Sequence, residues 1–359
     1  MFERRSVVAC RVVTDARRRF WSVLIAGAVL ALASCGGSGG DSVSSDKEAL
    51  NLILASKGER PGSSKGGQSA AVCEGAGPAD FGPGSLCADT GFRSSDRFSF
   101  ANWGKTRYPA DELTAAQLFA LFGKSVCSSL SDGVCTLSTS GASLLEQLKE
   151  TYLLGRCEGM VVLASLLKSK VVPLSTFDDA AVDVESLEPD NEELQKSIAY
   201  WWLTQYSVAV GEVSGRIREE GMKEVIRQLE VKLSEGTFAT MGLYYKGEGH
   251  AVLPIGLLRG PDGVFRVPVY DSNLPTEFGV VDIDLANDKW TYARGGINGD
   301  EELGVWTGAS GTIDLALMTA RSETSSCPYC NGNDPTSQTV RVDDYVAPGR
   351  DKIDSVFED

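Results

Sequence analysis

The chain has 359 residues, of which 42% are hydrophobic and 8% aromatic; this is enough apolar material for a buried core and excludes disorder throughout. Its 34 Lys and Arg residues are outnumbered by 49 Asp and Glu, and the net charge of −15 would repel nucleic acid and anionic lipid headgroups. A single histidine excludes any metal site that needs two His ligands, so the nine cysteines are the first place to look for chemistry.

Residues 1–34 have the pattern of an export signal peptide. Arg17–Arg19 form a charged block, and the apolar run Trp21–Ala33 is too short to span a bilayer in a mature protein. Leu32–Cys35 resembles the lipobox of bacterial lipoproteins, in which the cysteine is acylated, and the glycine-rich stretch after it would form a flexible tether. We therefore expect an exported protein, anchored through lipid on Cys35 to the outer face of the cell membrane or to the periplasmic or cell-surface side. An ordinary secretory signal is the alternative.

The domain boundaries are predicted from composition. Residues 35–95 are rich in Gly, Ser and Ala and lack sustained periodicity, which predicts a flexible linker that leads into a disulfide loop. The globular domain is expected over residues 96–345, and residues 346–359 are interpreted as a C-terminal tail.

The cysteines of an exported protein are expected to pair. When six of the cysteines after Cys35 are paired by proximity in the sequence, Cys157 is left without a partner, although other pairings stay open. The pairs favoured by proximity are Cys73 with Cys87, Cys127 with Cys135, and Cys327 with Cys330.

The motif Cys327-Pro328-Tyr329-Cys330 also occurs in glutaredoxins. There it stands at the head of a helix, whereas here it lies in loop-forming sequence near the C-terminus. We interpret it as a disulfide that closes a loop, with a redox pair or a cysteine zinc site as alternatives. No metal or other cofactor is expected.

The first half of the predicted domain has helical patterns. Apolar residues at helical spacing predict helices over residues 111–123 and 143–154. The segment Cys157–Lys168 is apolar on nearly every side, which is typical of a helix buried in a core. Two amphipathic helices are expected over residues 191–213 and 219–234.

The second half of the predicted domain changes to short runs rich in Val, Leu, Phe and Tyr. Gly-Glu-Gly and Pro-Asp-Gly turns separate these runs and predict strands over residues 237–246, 250–258 and 264–272. Helices followed by an antiparallel sheet predict the α+β fold class.

Cys157 is a candidate nucleophile because it is the leftover thiol and begins the apolar helix. Backbone N–H groups and the helix dipole favour a thiolate at that position. Gly155 and Gly159 on either side would leave room for a substrate backbone. A structural cysteine in the core is the alternative interpretation.

The chain's one imidazole belongs to His250, which opens a predicted strand directly after a tight turn. Asp271 ends the next strand, and Asn273 shares its face by the two-residue period of a strand. Thiol catalysis needs a base and a third group that orients the base. A carboxylate stabilises an imidazolium better than an amide does, so we predict a triad of Cys157, His250 and Asp271. The alternatives are a core histidine and an aspartate that caps a turn.

These residues resemble the papain-like cysteine peptidase superfamily, and within it the bacteriocin-processing type of peptidase. The resemblance covers about residues 98–292. It implies a helical lobe with a buried central helix packed against an antiparallel β-sheet, with Cys157 as nucleophile, His250 as general base and acid, and Asp271 as orienting group. The motifs that carry it are Gly155-x-Cys157-x-Gly159-Met160, Gly249-His250-Ala251-Val252 and Val269-Tyr270-Asp271-Ser272-Asn273.

One position departs from that superfamily. A Gln shortly before the nucleophile usually stabilises the oxyanion, and Thr151 stands there instead. Gln147, one helical turn earlier, and Asn102 are the candidates for a replacement donor, and Asn273 is a second candidate for orienting the imidazole. Loss of one oxyanion donor typically costs on the order of 10²–10³ in rate.

The sequence thus predicts a lipid-anchored thiol hydrolase, foremost a cysteine peptidase that acts on amide bonds of a peptide or protein substrate through an acyl-thioester. Acyl transfer by the same triad stays open. The alternative is a papain-like binding module on the cell surface with weak or no catalysis, whose acidic loops around residues 282–288 and 300–302 would hold calcium or a basic partner. No nucleic acid partner is expected.

Overall fold

The structure, a computed structural model, describes residues 73–322, 324–330 and 334–357. The predicted signal peptide and Cys35 lie outside the described residues. Within those ranges no helix combines the length and hydrophobicity that crossing a membrane requires.

The helices come mainly before the large sheet. Their bounds are α1 Ala115–Phe122, α2 Thr139–Tyr152, α3 Cys157–Lys168, α4 Glu192–Leu203, α5 Val208–Glu220, α6 Met222–Ser234 and α7 Ile353–Phe357.

Nine strands of the described chain form one antiparallel sheet, and three form a smaller one. In the large sheet the order is β10-β9-β8-β7-β5-β4-β11, with β6 and then β1 branching from β7; in the small sheet it is β12-β3-β2. The strand bounds are β1 Ser85–Asp89, β2 Cys127–Ser131, β3 Val134–Ser138, β4 Ala239–Tyr245, β5 Glu248–Pro254, β6 Gly256–Arg259, β7 Phe265–Tyr270, β8 Gly279–Asp284, β9 Lys289–Gly295, β10 Gly304–Gly308, β11 Ile313–Leu317 and β12 Pro335–Arg341. The predicted α+β class is confirmed.

Helix α3 is the buried helix that the sequence predicts, and every residue from Cys157 to Leu167 is buried. It packs closely on α4 because Gly159 has no side chain. A Cβ atom at Gly159 would lie 2.0 Å from the backbone oxygen of Ile198. The expectation that Gly155 and Gly159 make room for a substrate is therefore wrong for Gly159, whose role is helix packing.

The large sheet curls so that strands far apart in its order come together. The rings of Tyr245 on β4 and Trp306 on β10 stack with centroids 5.7 Å apart, although four strands separate them in the sheet order. Helix α6 presents Val225, Leu229 and Leu233 to the apolar core that the curled sheet encloses. The curl also brings Trp306 of β10 close to His250 of β5, with ring centroids 6.4 Å apart.

Residues 73–95 belong to the fold, contrary to the predicted linker that ends at residue 95. Strand β1 pairs with β6, and the side chains of Phe81 and Phe92 are completely buried. The predicted C-terminal tail also contributes to the core, since Ile353 and Phe357 of α7 are buried. Composition suggested loops in both places because isolated aromatic and aliphatic anchors do not create a periodic pattern.

Two predicted elements are divided in the structure. The helix expected over residues 191–213 breaks after Leu203, and α5 restarts where the Ser207 side chain accepts a hydrogen bond from the Val210 N–H. The strand expected over residues 250–258 ends at Pro254, which has no N–H to continue a ladder, and pairing resumes in β6.

Candidate active site

Cys157 is the first residue of α3 and the one free cysteine in the described part of the chain. No side chain caps this helix, so its first N–H groups face the region of the thiol. The residue is 9% exposed. It combines two conditions for a reactive sulfur, namely an unpaired thiol and a position at a helix start.

His250 lies on β5 with its side chain fully buried. Its Nε2 atom is 2.7 Å from Oδ1 of Asp271, which follows the neighbouring strand β7. The other ring nitrogen, Nδ1, makes no hydrogen bond of standard geometry with any described residue, but the thiol of Cys157 is close enough to act on the ring. The fold therefore brings His250 into hydrogen-bond contact with Asp271 and places the Cys157 thiol close to the imidazole.

Asp271 is completely buried and accepts three hydrogen bonds. Besides His250, the donors are the backbone N–H of Asn273 at 2.8 Å and the hydroxyl of Tyr292 at 2.5 Å. Donors on both carboxylate oxygens stabilise the anion and fix its orientation toward the imidazole.

The site favours a protonated imidazole. Burial alone lowers the pKa of His250, but the charge and hydrogen bond of Asp271 outweigh burial, and the thiol of Cys157 adds a smaller effect in the same direction. Together they raise the pKa of His250 from 6.5 to about 10. At neutral pH the ring is therefore an imidazolium, the form that stabilises a neighbouring thiolate.

Two of the three candidate carboxamides are engaged in other contacts. Asn102 uses its Nδ2 group to donate to Asn273 Oδ1 and to the Ile297 carbonyl, so no hydrogen of this group is left for an oxyanion. Gln147 is exposed on α2, whereas the triad residues are buried. Asn273 contacts Asp271 through its backbone, and Asp271 alone orients His250. The predictions that Asn102 donates to the oxyanion and that Asn273 orients the imidazole directly are therefore wrong.

Tyr292 is a site residue that the sequence analysis missed. It lies on β9, and burial, followed by the charge of Asp271, raises its pKa well above the usual value, so its hydroxyl stays a donor. The alternation of Trp290 and Tyr292 on one strand face would have suggested a buried tyrosine. No local pattern would have shown that its partner is Asp271.

The residues on either side of Cys157 carry buried charges, each with a partner. Arg156 lies 3.4 Å from Asp111 and stacks against the rings of Trp103 and Tyr152. Glu158 pairs with Arg321, which also donates to Thr240 at 2.8 Å. These ion pairs hold the start of α3 from two directions, and breaking a buried pair by removing one partner typically costs about 3–5 kcal/mol. The sequence gives no sign of them because the partners are distant in the chain.

The loop between β9 and β10, residues 296–303, borders the segment that precedes the nucleophile. Asn298 donates to the backbone oxygen of Leu154 at 2.7 Å, and a Cβ atom at Gly155 would lie 2.8 Å from the backbone oxygen of Ile297. Gly155 thus permits a close approach of this loop to the helix start. The expectation that Gly155 leaves an open space for a substrate is therefore wrong.

The other six cysteines among the described residues form disulfide bonds, as the sequence predicts. Described bonds join Cys73 to Cys87, Cys127 to Cys135, and Cys327 to Cys330. Among the residues that the structure describes, no cluster of three or more His, Cys, Asp or Glu side chains could hold a metal ion.

Comparisons of the chain with known protein families, with curated proteins and with solved structures gave no match. The site is therefore interpreted from its own geometry.

Proposed function

We propose that this protein is a thiol hydrolase of papain-like architecture, and foremost a cysteine peptidase. One observation supports the proposal above the others: the buried imidazole of His250 is held by a carboxylate at 2.7 Å, and the sole free thiol of the described chain is close enough to raise the pKa of the ring. A core histidine without a function needs neither an unpaired thiol nor a carboxylate with three donors.

The proposed reaction begins with the Cys157 thiolate and the His250 imidazolium. The sulfur attacks the carbonyl carbon of an amide, forming a C–S bond and an oxyanion, and we assign the backbone N–H of Cys157 as a donor to that oxyanion. The imidazolium gives its proton to the amide nitrogen, the C–N bond breaks and an amine leaves. The neutral imidazole then takes a proton from water, whose oxygen attacks the acyl-thioester, and the acid product and the thiolate are released.

Asp271 keeps the imidazole in the orientation that this sequence requires. Its charge stabilises the imidazolium, and its bond to Nε2 leaves Nδ1 for the proton that passes to the amide nitrogen. Cys157 is the most exposed of the three triad residues.

The experiment is hydrolysis of a mixed peptide library, followed by mass spectrometry, together with labelling by a peptidyl electrophile. We expect cleavage and labelling in the wild type, with both lost in Cys157→Ala and with cleavage reduced at least about 10³-fold in His250→Ala. The matched control is the double variant Cys327→Ala and Cys330→Ala, which removes a disulfide-bonded pair of cysteines. This control should keep both peptide cleavage and labelling. Labelling that persists in Cys157→Ala contradicts the proposal.

The second candidate is a peptide-binding module with the same site and no turnover. It is favoured by the engagement or exposure of every carboxamide that could replace the usual oxyanion Gln. A peptide that protects Cys157 from labelling but is recovered intact would identify this function.

We further propose that the protein acts outside the cytoplasm as a lipoprotein anchored through Cys35, as the Leu32–Cys35 motif suggests. Incorporation of labelled fatty acid into the wild type but not into Cys35→Ala tests this. Incorporation into both proteins contradicts Cys35 as the acylated residue, and incorporation into neither contradicts the lipid anchor and favours secretion by an ordinary signal.

A further inference from the structure

The two halves of the proposed triad come from elements that do not pair with each other. Cys157 begins α3, whereas His250 and Asp271 come from the sheet strands β5 and β7. A thiolate and an imidazolium interact usefully only when their separation is held within a fraction of an ångström. Packing of α3 against β5 and the ion pair of Glu158 with Arg321 hold the helix against the sheet, and a hydrogen-bonded connection further fixes the start of α3 relative to the end of β7.

Asn102 makes that connection with its side chain. Its Oδ1 accepts a hydrogen bond of 2.6 Å from the backbone N–H of Arg156, the residue directly before the nucleophile. Its Nδ2 donates to Oδ1 of Asn273 at 3.0 Å. The backbone N–H of Asn102 also donates to the carbonyl oxygen of Ser272 at 2.7 Å, so Asn102 contacts the end of β7 at two points.

Asn273 carries the connection on to the triad. Its backbone N–H donates to Asp271 Oδ1, the same oxygen that bonds to His250. Its side-chain Nδ2 donates to the carbonyl oxygen of Gly296 at 3.0 Å, which fixes the orientation of the carboxamide that Asn102 contacts. An unbroken series of hydrogen bonds thus runs from Arg156 through Asn102, Asn273 and Asp271 to His250.

The series is buried, and the carboxamide of Asn102 is fully used. Asn102 is 1% exposed and Asn273 is 5% exposed, so water does not compete for these bonds. Asn102 Nδ2 donates both of its hydrogens and Asn273 Nδ2 donates to Gly296, so turning either group toward a substrate would leave a buried acceptor unpaired, which typically costs about 1–3 kcal/mol. This occupancy argues against direct contact of either side chain with a reacting atom.

We propose that Asn102 and Asn273 act together as a positioning bridge that sets the separation of the Cys157 sulfur from the His250 ring. This inference rests on the proposed function, because it assigns a role to residues that support its thiolate–imidazolium pair. Neither residue is a catalytic residue, since both act through neighbours.

The experiment measures the second-order rate of Cys157 alkylation by iodoacetamide, a neutral reagent, across a range of pH. In the wild type we expect fast alkylation already at acidic pH, because the proposed thiolate–imidazolium pair is the reactive form of the site. Asn102→Asp retains the acceptor for Arg156 N–H but loses the donor to Asn273. It should lower the rate at acidic pH about tenfold and move the profile toward that of an ordinary thiol.

Asn273→Ser should have the same effect, and the double variant should be no slower than either single variant, because both break one bridge. If thermal unfolding shows that one variant is not folded, the other variant decides the question. The matched control is Asn298→Ser, which removes another buried carboxamide beside the same helix start but has no bond to Asp271 or Asn273. We expect this control to lower the melting temperature and to keep the acidic reactivity.

The outcomes separate the two proposals. Acidic reactivity that survives in Asn102→Asp and in Asn273→Ser overturns the bridge and leaves the thiol hydrolase intact. A wild type that reacts only as an ordinary thiol overturns the thiolate–imidazolium pair, and with it both the proposed function and the bridge. Equal loss in the Asn298→Ser control shows a general packing effect and also overturns the bridge.

Discussion

Tyr292 shows how a single hydroxyl can set the charge balance of the site. It donates at 2.5 Å to the carboxylate oxygen of Asp271 that does not face His250. A donor on that oxygen neutralises part of the carboxylate charge, so it limits how strongly the imidazolium is held. Tyr292 therefore weakens the electrostatic interaction by which Asp271 stabilises the His250 imidazolium.

We expect Tyr292→Phe to raise the pKa of His250 further, because Asp271 loses a donor and keeps more of its charge for the ring. The unfolding free energy should fall by about 1–3 kcal/mol, since one carboxylate oxygen is left buried without a partner. His250 is the only histidine of the chain, so an NMR titration reports its imidazole without overlap. Tyr345→Phe, a buried tyrosine that contacts Tyr200 instead of the triad, is the control. An unchanged or lowered pKa in Tyr292→Phe would contradict this role.

The raised pKa of His250 also predicts how stability depends on pH. The folded state holds the imidazole proton up to about pH 10, whereas an unfolded chain releases it near 6.5. The stabilisation is therefore fully present below about pH 6.5 and is lost as the pH rises toward about 10. The measurement is the melting temperature of the wild type minus that of His250→Gln, which should shrink across this window. A difference that grows with pH would mean that the ring is neutral in the folded state.

Sequence reasoning found the triad residues because each stands beside a strong local signal. Cys157 follows a glycine at the start of an apolar helix, and His250 and Asp271 stand at the ends of predicted strands. Asn102 could be named only as a candidate donor, and its actual contacts lie on three separate segments of the chain. Hydrogen bonds between distant segments leave no periodicity in a sequence, which is why the bridge could not be predicted.

At the scale of elements, prediction succeeded where one face or one whole segment is uniformly apolar, as in α3 and α6. It failed for β1, for β8 to β11 and for the small sheet, whose short strands are stabilised by neighbours and not by pattern. The start of α1 was also placed too early. Asp111 accepts hydrogen bonds from Trp103 and from backbone N–H groups in a buried loop, and the helix begins after the Thr114 cap.

The contact of α3 with α4 gives a prediction for Gly159. Alanine is normally the better residue inside a helix by about 1 kcal/mol. Here its Cβ atom would overlap the Ile198 backbone oxygen, so we expect Gly159→Ala to destabilise the fold by about 3 kcal/mol and to reduce Cys157 labelling. Gly304→Ala, where a Cβ atom would meet nothing within 4 Å, should be close to neutral in the same denaturant titration. Equal effects of the two substitutions would contradict the close packing.

At the scale of the whole molecule, the order of helices before strands predicted the α+β class. It could not predict that the sheet curls until Trp306 reaches Tyr245 and His250, with ring centroids 5.7 and 6.4 Å apart. Curvature of this kind arises from strand twist summed over many pairs and from the side chains enclosed by it. Neither quantity can be read from a segment taken alone.

The disulfide pattern predicts the thiol content of the folded protein. Protein produced from residue 36 onward contains seven cysteines, and six of them pair. A thiol-specific colour reagent added in denaturant without reductant should count one thiol per chain, and peptide mapping should assign it to Cys157. A count of three, with Cys327 and Cys330 alkylated, would favour a redox role for that pair. A count below one would mean that Cys157 is oxidised.

The spacing of the cysteines has a consequence for how the newly made chain oxidises. The paired cysteines are separated by 14, 8 and 3 residues, and short loops close sooner and at lower entropic cost than long ones. In the kinetic competition among thiols, each of the six therefore meets its native partner before it meets Cys157. While the protein is still unfolded, Cys157 is kept reduced by its distance along the chain from the other cysteines. Once the protein has folded, burial of Cys157 keeps it reduced.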